Sequence, residues 1–358
     1  MPSGAGVDEE ASAVRGKSTS ETVSAALEDW AARYRGELTG YCYRMLGSAF
    51  EAEDAVQETL LRAWRALDRF DGQRAAPRSW LYTIATNVCL DLLRGRRRRA
   101  LAVDLGPAAS AGTPLGAPLP EDRWVLPVPD ASVLPVGGDP AEAAAARETV
   151  RLAFVAALQH LPPRQRAVLL LREVLCWNAA ETAELLETSA ASVNSALQRA
   201  RATLRARGVD AGTAPEPVDQ ARRELLARYC AAFERHDVAA LVALLHEDAT
   251  MAMPPFAWWL RGSAEIGRAL AGADACRESR LVPVAANGSA AFAQYVPDGP
   301  GGRLRAWAVQ VVEVRADRIA ATTSFLTANR LFALFGLPLE ASAAELGALG
   351  GNPVAKDR

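Results

Sequence analysis

The sequence predicts a multi-domain chain: two all-α helical domains and then an α+β domain. Three observations carry this. Apolar residues recur at helical spacing through two blocks, 21–99 and 140–207. A Pro/Gly-rich stretch, 100–139, and a shorter break, 208–219, set those blocks apart from each other and from the C-terminal third. Beyond residue 220 two helical patterns give way to short β-like runs. The chain has 358 residues, and two or three domains are expected at that length.

Residues 1–20 carry no apolar periodicity and are expected to be a disordered tail. In the first block Leu27, Trp30, Tyr34 and Leu38 form one stripe. Ser48 to Glu51 has the form of a capping box, opening a helix that buries Val56, Leu60, Ala63, Trp64 and Leu67. A loop from Phe70 to Ser79, with Gly72 and Pro77, precedes a helix whose inward side is Trp80, Leu81, Ile84, Ala85, Val88 and Leu92. That helix is expected to run straight into the cluster Arg94, Arg96, Arg97, Arg98 and Arg99.

Between 100 and 139 lie seven prolines and five glycines, a composition that covers distance but supplies no core. Trp124 is out of place in a passive linker, so part of the segment should dock. Asp139-Pro140 is an N-cap with proline at the first helical position. The helix it opens is lined by Val150, Phe154, Leu158 and Leu161 and ends at Pro162-Pro163. Helices over 164–175 and 177–186 come next, and Ser189 is placed to cap the one after them. Two short helices joined by a tight turn, the second basic, form a helix-turn-helix. After 220, helices around Leu225–Phe233 and Val238–Leu245 precede expected strands at Ala249–Met253, Arg280–Ala285, Ala290–Tyr295, Leu304–Val314 and Arg318–Leu326. Such an order suits an α+β domain with a curved sheet, extending over 220–340, with a tail at 341–358. The apolar span 326–340, with Leu331, Phe332, Leu334, Phe335 and Leu337, either closes this domain or docks between the first two.

The formal charge of −2 excludes a uniformly basic nucleic-acid coat, so any DNA-binding charge must be local. It is local. From Thr188 to Arg207 there is no acidic residue, while Val193, Leu197, Ala200 and Leu204 make a core stripe. The remaining surface offers Ser192, Asn194, Ser195, Gln198, Arg199, Arg201 and Arg205. Amides and guanidiniums without carboxylates suit a DNA groove. The five cysteines (Cys42, Cys89, Cys176, Cys230, Cys276) are scattered, without CxxC or Cys/His spacing, so neither a disulfide framework nor a metal site is expected. With no signal-peptide core and no membrane-length apolar run, a soluble cytoplasmic protein without cofactor or membrane partner is expected.

DAVQETLLRAW (54–64), with RSWLYTIATNVCLDLLRGRRRR (78–99) after it, resembles region 2 of bacterial sigma factors of the extracytoplasmic-function group. LPPRQRAVLLLREV (161–174) with ETAELLETSAASVNSALQRARATL (181–204) resembles region 4 of the same group. YCAAFERHDVAALVALLHEDATMAMPP (229–255) resembles a SnoaL-like domain, whose fold is a cone-shaped α+β structure. Region 2 (21–99), linker (100–139), region 4 helix-turn-helix (140–207) and SnoaL-like domain (220–340) are then the implied modules.

The resemblance implies core RNA polymerase, through its β′ clamp and β subunits, and promoter DNA as partners. Asp54, Gln57, Glu58 and Leu61 would grip the β′ clamp. Asn87 would help hold a flipped base of the −10 element with the loop before it, and Asp91, Arg94 and Arg96–Arg99 would serve the same strand and its phosphates. Tyr82 is a further candidate for stacking on a base. Ser192, Asn194, Ser195, Gln198 and Arg199 would read the −35 element, with Arg201 and Arg205 on its backbone. Asn194 and Ala196 depart from basic residues common in the family, and Glu187 stands where many relatives have a turn glycine. In the third domain Met253, Trp258, Trp259, Phe292, Tyr295 and Trp307 either line a pocket for a small hydrophobic ligand or form a plain core. The expected function is promoter recognition and melting, with no catalysis by the chain itself and the C-terminal domain regulating in cis. A ligand-sensing helix-turn-helix regulator and a SnoaL-like enzyme are the alternatives; the 54–64 block separates the first from a sigma factor.

Overall fold

The computed structural model describes residues 7–72, 76–135, 139–207, 220–273, 277–299 and 302–350. In chain order the first helices are α1 (Val7–Leu46), α2 (Ala49–Ala66), α3 (Pro77–Leu93) and the single turn α4 (Asp130–Val133). Then come α5 (Pro140–Glu148), α6 (Leu152–Leu158), α7 (Pro163–Leu169), α8 (Ala179–Leu185) and α9 (Ala190–Arg205). The C-terminal part has α10 (Gln220–Glu234), α11 (Val238–Leu244), α12 (Ser263–Ala271), α13 (Ala328–Leu334) and α14 (Ala343–Gly350). Its strands are β1 (Leu245–Ala252), β2 (Trp259–Arg261), β3 (Arg280–Ala286), β4 (Ser289–Pro297), β5 (Arg303–Arg315), β6 (Arg318–Phe325) and β7 (Glu340–Ser342).

These elements gather into two compact units that do not obey chain order. Among the described residues, one comprises those up to 46, 50–96 and 163–201; the other comprises those at 47–49, 97–162 and from 202 onward.

In the first unit α1 packs on α3, and α7 packs on both. Leu38, Tyr41, Cys42, Met45, Val56, Ala63, Leu81, Ala85, Val88 and Cys89 are buried there. Trp80, expected in the core, is half-buried, with the Phe70 ring tilted against it at 4.8 Å and Trp30 edge-on at 6.5 Å. The helix-turn-helix shares this core. The buried Arg166 of α7 donates to the Met45 carbonyl, and Trp177 meets the ring of Tyr82 at 5.5 Å. Burial draws the Arg166 guanidinium down to about 10.

The second unit is built on a seven-stranded sheet of order β2-β1-β6-β5-β4-β3, with β7 beside β5. All pairs are antiparallel except β1 with β6. Tyr229 and Phe233 of α10 pack with Leu241, Trp258, Ile266, Phe292, Val312 and Ile319 in one core. Leu331 and Phe332 are buried, and α13 packs on β5, so the 326–340 segment closes this domain.

Several expectations are corrected. Of the expected tails 1–20 and 341–358, residues 7–20 are helical within α1 and residues 341–350 supply part of β7 and α14, the remainder lying outside the described residues. The first helix of the second block is two, α5 and α6, broken at Thr149–Arg151. Over its described residues the linker is packed rather than free: Trp124, Val125, Leu126 and Val128 are buried. Ala100 bridges Trp124, and the Leu126 N–H donates to Gly47 O at 2.9 Å. The second linker, 208–219, and Cys276 lie outside the described residues.

Candidate polymerase and nucleic-acid interfaces

On α2, Ala52, Ala55, Val56, Thr59 and Ala63 are buried, so the helix turns one narrow side inward. Asp54 and Gln57 are exposed on the other side, and Glu58 ion-pairs with Arg62 at 2.7 Å. Leu61 is 40% exposed and Trp64 60%, so Trp64 is not the core residue its i+4 spacing from Leu60 suggested. The reason is angular. Each residue turns the helix by about 100°, which puts Trp64 roughly 20° from Gln57 and well away from Ala63. Two large apolar side chains thus stand in water beside three polar ones.

Proline at N1 opens α3, whose exposed side presents Asn87, Asp91 and Arg94 at i, i+4, i+7 spacing. Asp91 takes Arg62 at 3.4 Å and Arg94 at 3.1 Å. The helix ends at Leu93, Gly95 turns with a φ of 75°, and residues 96–99 run on non-helical. The arginine run is therefore not the helix extension expected. Arg96 pairs with Glu51 at 2.5 Å, and Arg97 is exposed. Arg98 contacts His160, whose Nε2 lies 3.1 Å from Asp104. Burial, Arg98 and Arg207 push the His160 imidazole down, against the opposing pull of Asp104.

Arg99, expected among the phosphate contacts, turns inward. It is 7% exposed and donates to the carbonyls of Glu121 at 2.9 Å and Trp124 at 2.7 Å, which pins the linker to the end of the 96–99 run. Tyr82 is corrected too: its ring is buried against Tyr41 at 5.2 Å and Arg78 lies over it at 5.3 Å, leaving no face for a base.

The helix-turn-helix is assembled by local capping. Asn178 and Glu181 form a capping box for α8. Glu187 takes a φ of 50°, the left-handed turn conformation glycine adopts without strain. Ser189 Oγ accepts from the Ser192 N–H at 3.2 Å at the start of α9. Val193, Leu197, Ala200 and Leu204 are buried, so Ser192, Asn194, Ser195, Gln198, Arg199, Arg201 and Arg205 all point outward. Arg201 is paired with Glu173.

The six aromatic and methionine candidates of the C-terminal domain do not converge. Trp258 and Phe292 belong to the core that includes Tyr229, with Met253 packed at its edge. Tyr295 donates to Pro338 O at 2.9 Å and meets Phe332 edge-on. Trp307 is the extra residue where the β4–β5 register slips, with Arg305 over its ring. Both neighbouring indoles reach the linker instead: Trp258 Nε1 donates to Thr113 O at 3.1 Å and Trp259 Nε1 to Gly106 O at 3.0 Å. Among the described residues no cluster of His, Cys, Asp and Glu could hold a metal ion, and no helix is long and apolar enough to cross a membrane.

Further linker contacts went unforeseen in the sequence. Ala109 N–H donates to Trp259 O at 2.8 Å, Leu119 N–H to Pro255 O at 2.7 Å and Ala111 N–H to Glu265 at 2.9 Å. Arg330 pairs with Glu121 at 2.7 Å. Trp124 was the one sequence signal for this docking.

Family models match the chain in three places: Sigma-70 region 2 over residues 30–99, Sigma-70, region 4 over 151–204, and a SnoaL-like domain over 226–322. The chain is similar to the ECF RNA polymerase sigma factor SigG of Mycobacterium tuberculosis (strain CDC 1551 / Oshkosh). The two are 45% identical over 312 residues, 85% of this chain and 82% of that protein. It is 34% identical to the ECF RNA polymerase sigma factor SigJ of M. tuberculosis (strain ATCC 25618 / H37Rv) over 216 residues, 60% of this chain and 61% of that one. Among solved structures it resembles the crystal structure of the M. tuberculosis extracytoplasmic function sigma factor SigJ. The TM-score is 0.56 at 26% identity, over 87% of this chain and 99% of that chain.

Proposed function

Because this chain belongs to the extracytoplasmic-function RNA polymerase sigma factors, we propose that it binds core RNA polymerase, directs it to promoters through −10 and −35 elements, and promotes initiation while its C-terminal domain holds it in check. The family is one of initiation factors, not enzymes. Asp54, Gln57, Glu58, Leu61 and Trp64 form the polymerase-facing side of α2. Asn87 serves the opened −10 strand, with Asp91, Arg94, Arg96, Arg97 and Arg98 around it. The outward side of α9 serves the −35 element. A partner of polymerase and promoter DNA works in the cytoplasm.

One observation carries this reading: a single chain exposes both the apolar-and-acidic side of α2 and the acid-free side of α9. A ligand-sensing regulator has use for the second only. Grips for two separate promoter elements must be free to part, yet Arg166 and Trp177 tie α7 and the residues after it to α1 and α3. The described state is therefore a closed one. The C-terminal domain supports closure by holding the linker on Trp258, Trp259, Glu265 and Arg330.

The test is a pull-down with purified core polymerase and then run-off transcription. Wild-type protein should bind and initiate, and the double substitution W258F/W259F should raise initiation. No binding to core polymerase would end the proposal. Binding with unchanged initiation in W258F/W259F would remove only the linker-holding part.

A further inference from the structure

We propose that the two-residue turn between β3 and β4, Asn287-Gly288, is a conformational switch that keeps the first helix of the region 4 module split into α5 and α6, and that the two halves fuse into one helix when the turn lets go. The sequence gives no local cause for the split: residues 141–161 contain neither glycine nor proline. Val150, Phe154, Leu158 and Leu161 keep helical spacing across it. Yet Arg151 has an extended backbone (φ −55°, ψ 142°), and Val150 and Arg151 bond back three residues rather than four.

The contacts supply the cause. Asn287 and Gly288 take φ values of 55° and 62°, the pair of left-handed residues that a two-residue hairpin turn requires. The buried side chain of Asn287 donates through Nδ2 to Val150 O at 2.7 Å. In an unbroken α-helix that carbonyl would accept from the Phe154 N–H, four residues on. Asn287 thus occupies the acceptor on which the fused helix depends. Leu152, Ala153 and Phe154 become the first turn of α6, ahead of its first bond, Val155 N–H to Arg151 O at 2.9 Å.

The same turn grips the linker. Asn287 Oδ1 accepts from the Val128 N–H at 3.1 Å, Asn287 N–H donates to Val128 O at 3.1 Å, and Gly288 N–H donates to Asp130 at 2.8 Å. The fit against α5 is close: a Cβ on Gly288 would lie 2.5 Å from Arg147 O. Release of the linker and fusion of the helix are therefore one event at one turn. On fusion the Leu152, Ala153 and Phe154 amides gain partners at Glu148, Thr149 and Val150.

Hydrogen exchange on the full chain reads this directly. Asn287→Asp keeps the acceptor for Val128 and removes the donor to Val150 O; Gly288→Ala dislodges the turn sterically. In both variants the Leu152–Phe154 amides should exchange at least about tenfold more slowly than in wild type, because they acquire intrahelical bonds. Exchange at the wild-type rate or faster in both variants overturns the inference. Wild-type chain bound to core polymerase, an arm that rests on the sigma-factor reading, should show the same slowing. A bound chain whose amides keep the free rate would overturn the switch, and binding itself is verified separately by the pull-down.

Discussion

Trp64 and Arg99 exchange the roles that their sequence neighbourhoods suggest. Trp64 stands 60% exposed beside Leu61, and Arg99 is buried at 7% exposure. Trp64→Ala should leave stability within about 0.5 kcal/mol, as surface substitutions do. It should weaken binding to core polymerase by roughly thirtyfold, the cost of losing an aromatic anchor; denaturant unfolding and binding titration check the two halves. The arginines separate in the same way. Arg97→Ala should leave folding unchanged and lower the salt slope of promoter binding by about one unit. Arg99→Ala should cost on the order of 2 kcal/mol in urea unfolding, because two carbonyls lose a charged donor. The residue types of the candidate site were legible, since the outward side of α9 comes from helical spacing alone. The inward turn of Arg99 was not, because it depends on residues 121–124, more than twenty positions along. The burial of Tyr82 was hidden likewise, resting on Trp177 from a distant segment.

At the level of elements, helices and strands with a clear period were legible, as β3, β4, β5 and β6 lie where alternating runs predicted them. Order imposed from outside a segment escaped: the break at Thr149–Arg151, and a Pro/Gly-rich linker held in place by carbonyls and amides of the C-terminal domain. Composition describes how a segment behaves alone, and this one is not alone. Asp130 lends its docking a pH dependence. Burial lifts its carboxyl to about 6, against the opposing pull of the Gly288 N–H and Arg147. A raised folded-state value means that the docked state holds the proton more tightly. The contact is therefore strongest below about pH 4 and weakens as pH rises to about 6, by on the order of 2–3 kcal/mol. Asp130→Asn, which stays neutral, should abolish that window. Hydrogen exchange of residues 126–134 between about pH 4.5 and 7.5, wild type against variant, measures it.

Taken whole, the chain order of modules was legible because each carries its own periodicity and the Pro/Gly-rich segments divide them. Their grouping was not. The helix-turn-helix shares a core with α1 and α3, while α5 and α6 belong with the sheet domain. Such grouping rests on surface complementarity between segments far apart in the chain, as Tyr82 and Trp177 are, which no window of sequence displays. The proposed function makes such a chain an initiation factor held closed. Run-off transcription with purified core polymerase on a promoter library, comparing wild type, Asn87→Ala and the W258F/W259F variant, tests that most directly. Discrete starts from the wild type, fewer with Asn87→Ala and more with the linker-releasing variant, are predicted. No start from any promoter with any of the three would contradict it.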